Sequence, residues 1–356
     1  MKIICFHPAL APYRVDFFNL LGTVVDLKLL LLQDNLITQK FDQVALKRRL
    51  RCEHDVMTSG FSVKGRCIRI GLLKIIRNEH PDVVLGYESS PVTLMLIMFR
   101  KLRLIKADVW TFMDDSSAQV KSRKGLRKVI RDFVIRNTSR IIVPSADAAS
   151  AYQSPINIRI DVVPIIHDTE TIRANANKVY EIGRAWRREN VPDEWNKVLL
   201  FVGRMTAIKN IHWLLDRLVE LPTDVGLVLV GDGDETQLLK EKVAAKGLTS
   251  RVIFVGRKEG DDLYAMMAMA DGLVLCSHSE TFGAVVAEAL QWGTPCVVAK
   301  HLGASVLIED GKNGVLFKYN DSDDFYAAVA HLPPRIGGAL LSYDLGAAVR
   351  DLVSSR

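Results

Sequence analysis

The chain is poor in the residues that staple small secreted folds. Its five cysteines, Cys5, Cys52, Cys67, Cys276 and Cys296, are scattered over 356 residues, odd in number and without a C-x-x-C pair. That excludes a disulfide framework and points to reduced thiols in a cytoplasmic protein. His167, His278 and His301 have no ligand spacing to a cysteine or to one another, so no zinc site is expected. Aromatic residues make up only 7% of the chain, and no nucleic-acid-binding motif is present, so charge alone would have to carry a nucleic-acid role. Long apolar runs are also missing. The most lipid-like stretch, Pro91 to Phe99, runs into Arg100, Lys101 and Arg103 and is too short to span a bilayer. Met1 to Phe6 is too short for the apolar core of a signal peptide and is followed by His7-Pro8. There is no internal repeat and no low-complexity tract.

What is there is the composition of an ordinary globular protein, 49% apolar and 25% charged, and the length suggests two domains, each able to bury a core. The net charge of +6 is unevenly placed: residues 1–200 carry 32 Lys and Arg against 21 Asp and Glu, and residues 201–356 carry 15 against 20. A basic first half suits nucleic acid, an anionic membrane or a phosphorylated acceptor, or is simply a solvated surface. Apolar runs of strand length alternate with helical patterns from end to end, the pattern of an α/β fold with parallel sheets. In the first half the strands are read at Lys2–Phe6, Val24–Leu32, Pro81–Gly86, Ala107–Phe112, Ile141–Ser145 and Val162–Thr169. Helices are read at Tyr13–Leu21, Leu72–Arg77 and Lys121–Arg140. Lys47-Arg48-Arg49-Leu50-Arg51 reads as a basic loop. The polar stretch Thr171–Lys197 marks a boundary, giving a first domain over 1–175, a linker over 176–197, a second domain over 198–340 and a final helix over 341–356.

The densest chemical signal is Ser279 to Leu290. An apolar strand, Gly272 to Ser277, precedes it, and a run of helix formers ended by Gly293-Thr294-Pro295 follows. Glu280 falls in the loop and Glu288 about a turn and a half into the helix. Phe282, Gly283 and Ala284 supply the free amides of the helix start, which attract a phosphate, and Gly283 lets a ligand approach the backbone. Two carboxylates thus flank an anion site. Upstream, the strand Val198–Gly203 leads into Arg204 and Lys209, five apart on one loop at the carboxyl end of a strand. There a guanidinium fork and an ammonium point charge can bind a diphosphate without a metal. Asp232-Gly233-Asp234 fits a metal-binding D-x-D, but it follows an apolar strand and no metal role is expected of it. Gly231-x-Gly233 lacks the third glycine of a dinucleotide fingerprint.

Six signals stand in one order over about 120 residues. They are Val202-Gly203-Arg204 to Lys209, Val230-Gly231-Asp232-Gly233, Phe254-Val255-Gly256, Glu280-Thr281-Phe282-Gly283 to Glu288-Ala289, Gly293-Thr294-Pro295 and Asp310-Gly311-Lys312-Asn313-Gly314. In this order they resemble the carboxy-terminal domain of the family-4 retaining glycosyltransferases. The resemblance implies a GT-B fold, two Rossmann-like doubly wound domains facing across a cleft, with the last helix often packing back on the first domain. It implies a hexosyltransferase using a UDP- or GDP-sugar donor and a lipid-linked or polysaccharide acceptor in cell-surface glycan synthesis. No cofactor or metal is implied. It puts Arg204 and Lys209 on the donor diphosphate and Glu288 on the ribose. The backbone at Gly256, Arg257 and Lys258 meets the base, and Glu280 with Phe282 and Gly283 meets the sugar. The implied location is cytoplasmic, with the cytoplasmic face of the inner membrane left open.

The first half departs from the family pattern. The turn His7 to Arg14 lacks the usual glycine pair and instead resembles the subset that builds bacterial surface polysaccharides. Tyr13 and Arg14 are its acceptor-side candidates, Arg14 meeting a phosphate or standing as a surface cation. Where the family often has a histidine, the strand ending at Phe112 empties into Met113, Asp114 and Asp115. Either aspartate could orient or deprotonate an acceptor hydroxyl, or cap the next helix. In the helix Lys121–Arg140 a stripe of Leu126, Val129, Ile130, Phe133 and Val134 faces a core or lies on an anionic membrane. A GT-B-fold sugar-nucleotide epimerase and a basic nucleic-acid binder are the alternatives; a specific nucleic-acid partner is not expected.

Overall fold

Two long runs of parallel pairing account for most of the buried backbone. The computed structural model describes residues 1–35, 41–63, 66–152, 158–280, 282–341 and 343–354. The chain divides into one unit of Met1–Asp168 with Asp344–Arg356 and a second of Thr169–Tyr343.

The first unit is built on β1 (Lys2–His7), β2 (Asp26–Leu31), β3 (Glu53–Val56), a hairpin of β4 (Gly60–Val63) and β5 (Arg66–Arg69), then β6 (Val83–Tyr87), β7 (Asp108–Phe112), β8 (Arg140–Val143) and β9 (Arg159–Val162). Apart from the antiparallel hairpin, these strands form one parallel sheet in the order β3-β2-β1-β6-β7-β8-β9. Parallel neighbours need crossovers, and α1 (Pro12–Val24), α2 (Gln43–Arg49), α3 (Leu72–Glu79), α4 (Pro91–Lys101), α5 (Ser117–Ser122), α6 (Gly125–Arg136) and α7 (Ala146–Tyr152) supply them. Their starts are legible in local chemistry. Pro12 and Pro91 occupy first-turn positions, Asp42 accepts from the amides of Val44 and Ala45, and Ser116 closes a capping box with Gln119.

The second unit has β10 (Lys197–Val202), β11 (Val225–Val230), β12 (Val252–Gly256), β13 (Gly272–Leu275), β14 (Cys296–Ala299) and β15 (Gly314–Phe317), all parallel, in the order β12-β11-β10-β13-β14-β15. Every residue of β11, β13 and β14 is buried, as a sheet covered on both faces requires. Its helices are α8 (Thr169–Asn190), α9 (Ile211–Leu218), α10 (Thr236–Ala245), α11 (Gly260–Met269), α12 (Ala284–Gln291) and α13 (Ser322–Ala330). The last helix, α14 (Leu345–Ser354), belongs to the first unit, where Leu345, Val349 and Leu352 are buried and Arg140 donates to the Leu352 carbonyl. Among the described residues no helix is long and apolar enough to cross a membrane.

Four expectations need correction. Residues 176–190, read as linker, are the body of α8, a helix of the second unit packed along α11. A Cβ on Gly183 would stand 2.7 Å from the Ala265 carbonyl oxygen, and Arg187 binds Asp271 at 2.8 and 3.0 Å. Its contact stripe runs through glycine, tyrosine and arginine, so apolar periodicity did not reveal it. The strand read at Val162–Thr169 ends where it was expected to begin, because β9 is Arg159–Val162. The basic stretch from Lys47 is the last turn of α2, where cations suit the helix dipole, and Arg49 reaches Asp16 at 3.3 Å. The helix read at Lys121–Arg140 is broken at Arg123-Lys124 into α5 and α6, and α6 buries Arg131, Val134 and Ile135 while Leu126, Val129 and Phe133 face outward.

If α8 is wedged against α11 at Gly183, Gly183→Val lowers the stability of the second unit by about 1–3 kcal/mol through overpacking. Urea unfolding followed by tryptophan fluorescence reads it, and an unchanged midpoint would contradict the packing.

Candidate functional site

In an open parallel sheet, ligands sit beyond the carboxyl ends of the strands where the strand order reverses. In the second unit that point lies between β10 and β13. The β10 loop turns tightly there. Gly231 (φ +132°) sits so close to the loop that a Cβ on it would overlap the Gly203 carbonyl, which ties the ends of β10 and β11 together. A single 3-10 turn, Ala207–Lys209, then brings Lys209 around, and Asn210 takes a left-handed conformation at φ 58°. Two contacts bolt this loop to the one after β13: the Asn210 side chain donates to the Cys276 carbonyl at 3.2 Å, and the His278 amide donates to the Ile208 carbonyl at 2.8 Å. Cys276 is buried beneath them, its thiol pushed up to about 12 by burial. The bracing sets Lys209 against Glu280 as an ion pair, both side chains about one-fifth exposed at 19% and 22%.

Of the residues expected at this site, Gly283 lies against the pair, where a Cβ on it would stand 3.5 Å from the Glu280 Cγ. Phe282 is buried, and Gly283 (φ +71°) caps α12, where a Cβ would stand 2.6 Å from the Ala304 Cβ. The α12 amide ladder begins with Val286 donating to Gly283 at 2.8 Å, so the amides before it point outward from the helix start. Glu288 is half-buried on α12; Thr281 lies outside the described residues. Arg204 is exposed just past β10, and no ion pair engages it among the described residues. Gly256 ends β12 at φ +76° and its carbonyl accepts from Gly231 at 2.9 Å. Arg257 beside it pairs with Glu259, and Lys258 is half-buried. Asp232 accepts from Thr236 at 2.7 Å and from the Gly233 amide at 2.8 Å, which hold its carboxyl below the usual range. It therefore serves the start of α10. His278, expected from the sequence to lie close to this site, meets the hydroxyl of Tyr319, which sequence reasoning missed, and His301 meets the His278 carbonyl at 3.1 Å.

In the first unit the order reverses between β1 and β6. Here Arg14 is no surface cation. It is 4% exposed, bound to Asp114 at 2.6 Å with its guanidinium 4.4 Å from the Phe112 ring centroid. Tyr87 donates to the same carboxylate at 3.1 Å, and Tyr13 is half-buried on the first turn of α1. Asp115 is enclosed by Arg123, Arg131 and Tyr152, so it organises the loops and has no open face for a substrate. Neither aspartate caps a helix, since Ser116 does. Two residues were not anticipated. Glu88 lies directly beyond β6 at φ 47°, 3.6 Å from Arg131, and burial pushes its carboxyl up. His7 lies in a cage of Phe18, Tyr87 and Phe112, with ring centroids 5.0–6.1 Å away. The rule that found Asp114, a polar residue at the carboxyl end of a strand, would also have found Glu88.

Residues 183–332 match the model described as glycosyl transferases group 1, so the second unit carries that domain. Over 135 residues the chain is 32% identical to the lipopolysaccharide core biosynthesis glycosyltransferase LpsE of Rhizobium meliloti, covering 38% of this chain and 39% of that one. Over 222 residues it is 31% identical to the D-inositol 3-phosphate glycosyltransferase of Mycobacterium marinum, covering 60% of this chain and 46% of that one. The chain thus spans less than half the length of each of these two relatives. Anabaena HepE, solved with UDP and glucose, superposes with a TM-score of 0.73 at 20% identity, covering 100% of this chain and 99% of that one. The lipopolysaccharide outer core galactosyltransferase WaaB superposes at 0.68 with 18% identity, covering 100% and 96%. The fold is GT-B.

Burial, and then the nearby Arg14 charge, push the His7 imidazole down to about 3, so it is neutral in the native state. An unfolded histidine titrates near 6.5. Between these values the unfolded chain binds a proton that the folded chain refuses, so this contribution is full above about pH 6.5 and is lost as pH falls. The loss is roughly 2 kcal/mol at pH 5. His7→Phe should flatten the fall in unfolding midpoint between pH 8 and 5 relative to the parent; superimposable profiles would contradict it.

Proposed function

We propose that the chain is a family-4 retaining hexosyltransferase using a UDP- or GDP-sugar and a lipid-linked or polysaccharide acceptor in cell-surface glycan synthesis. The observation that carries this reading is the Lys209–Glu280 pair, braced at the strand-order reversal of a glycosyl transferases group 1 domain beside the amides of α12. A relative whose name specifies lipopolysaccharide core biosynthesis, and a fold shared with a protein solved with UDP and glucose, support the donor and acceptor classes.

In this reading Arg204 and Lys209 hold the donor diphosphate, the backbone at Gly256, Arg257 and Lys258 meets the base, and Glu288 takes the ribose hydroxyls. Glu280, with Phe282 and Gly283, lies against the sugar. The bond from the anomeric carbon to the phosphate oxygen breaks as the acceptor oxygen bonds that carbon on the same face. The departing phosphate oxygen takes the acceptor proton. No enzyme nucleophile is needed, unlike the paired carboxylates of most retaining glycosidases. Arg204, Lys209 and the α12 amides meet the charge growing on the leaving diphosphate, and Glu280 meets positive charge at the anomeric carbon. No metal is assigned to the diphosphate, because these cations and amides neutralise it. The first unit takes the acceptor, with Asp114, held by Arg14 and Tyr87, nearest to its hydroxyl and Tyr13 beside it.

The same unit has a surface suited to the cytoplasmic face of a membrane. Leu126, Val129 and Phe133 on α6 are 73%, 62% and 38% exposed, and Met98 and Leu102 at the end of α4 are 47% and 61% exposed. Lys101 lies 5.5 Å from the Phe133 ring centroid, and Arg103, Lys121 and Lys124 are exposed nearby in the chain. Apolar side chains among cations are what an anionic bilayer surface attracts.

Two experiments test this. Glu280→Ala and Lys209→Ala should each cut transfer by about 10²–10³-fold with the fold intact by circular dichroism; a folded variant of near-normal turnover would sink the assignment. One nucleoside diphosphate, UDP or GDP, should raise the melting temperature in the presence of EDTA. At about 100 times its dissociation constant it adds roughly 2.7 kcal/mol. Conversion of the donor to its epimer without transfer would favour an epimerase. The chain should also sediment with phosphatidylglycerol vesicles and far less with phosphatidylcholine, and the double variant Leu126→Asp/Val129→Asp should stay in solution. Equal sedimentation of parent and variant would remove the membrane surface.

A further inference from the structure

We infer that a cavity of the first unit takes a sugar that itself carries a phosphate or carboxylate; the inference rests on the transferase reading for its assignment to the acceptor. The cavity has a volume of about 500 Å³, within the range of small-molecule sites. It opens at the strand-order reversal of the sheet, between the ends of β1 and β6, where ligands of open α/β sheets gather. Its two walls differ in chemistry. One carries Arg123, Arg127 and Arg131; the other carries Glu88, Ser89 and Gln33.

The charges on the first wall are not balanced by the second. Asp115, behind the wall, engages Arg123 and Arg131, and Arg131 also approaches Glu88 at 3.6 Å. Arg127, one helical turn before Arg131, is exposed and is engaged in no ion pair among the described residues. Glu88 supplies a single carboxylate to this lining, and its ion pair is with Arg131, not with Arg127. Among the described residues two further groups lack hydrogen-bond partners: the Nε of Arg131, a lining residue 4% exposed, and the Ser89 Oγ. A neutral sugar would satisfy Glu88, Ser89 and Gln33 through its hydroxyls and leave the guanidinium wall without a counter-charge. A sugar with a phosphate or carboxylate answers both walls, since a guanidinium fork matches the geometry of either anion. The loop holding Glu88 and Ser89 is itself fixed. Thr93 bonds the Tyr87 amide at 3.1 Å and carbonyl at 3.2 Å, and its own amide donates to Ser90 at 3.2 Å.

The test is isothermal titration of the full chain with glucose 6-phosphate, glucuronate, glucose, glycerol 3-phosphate and inorganic phosphate, with the UDP and GDP titrations run alongside. Glucose 6-phosphate or glucuronate should bind at least tenfold more tightly than glucose. Arg127→Glu should erase that preference, and Arg127→Lys should keep part of it. Both variants should bind the nucleotide as the parent does, because that site lies in the other unit. Equal binding of glucose and its phosphate, or a preference that survives Arg127→Glu, overturns the proposal. So does binding of inorganic phosphate or glycerol 3-phosphate as tight as that of glucose 6-phosphate, which would mark a simple anion or phospholipid-headgroup site. Anion-selective sugar binding without any nucleotide binding would support the cavity and count against the transferase reading alone.

Discussion

The second unit depends on how two loops are held together at the reversal of strand order. The loop after β10 and the loop after β13 belong to neighbouring strands separated by about 70 residues of chain, and two main-chain carbonyls join them, those of Cys276 and Ile208. Neither contact involves the residues that would do chemistry. Their effect is positional: Lys209 and Glu280 are brought into an ion pair at the mouth of the sheet, next to the start of α12. A group held this way needs little rearrangement when charge develops nearby, which is what makes fixed dipoles and cations effective in a site that excludes water.

The first unit uses the same architecture for a different purpose. Its reversal point is filled by side chains paired to one another, Arg14 with Asp114, and Arg123 and Arg131 with Asp115. Buried charges are tolerated only when paired and hydrogen-bonded, so the network fixes the loops at the ends of β6 and β7 and leaves a smaller set of groups turned to the cavity. The two units thus present different chemistry at their reversal points, cations and helix-start amides in one and a guanidinium-lined cavity in the other.

α6 shows why an amphipathic pattern is ambiguous. Its stripe of Leu126, Val129 and Phe133 has the spacing of a core-facing helix, yet the side turned inward holds Arg131, Val134 and Ile135. Arg131 is accepted in the interior because Asp115 and Tyr152 are there to receive it, and those partners come from other elements, the loop after β7 and the end of α7. Once Arg131 is inside, the apolar stripe has to face out. Hydrophobic periodicity identifies a face but not its partner.

Much of this protein was legible in one dimension. Buried parallel strands are nearly continuous apolar runs, so the strand-helix alternation, the α/β class and the position of the start of α12 followed from local composition. Arg204, Lys209, Glu280, Phe282, Gly283 and Glu288 were singled out because they stand on the loops and the helix that follow β10 and β13, and the fold makes those two strands neighbours. Tertiary structure decided what depends on pairing across the sheet. It enclosed Asp115, buried Arg14 and gave Glu88 a partner in Arg131. It set α8 against α11 through Gly183, and it turned the α6 stripe outward. Each of these rests on a contact between different elements, whose energy comes from packing, desolvation and charge pairing in three dimensions, and the periodicity of one element does not encode it.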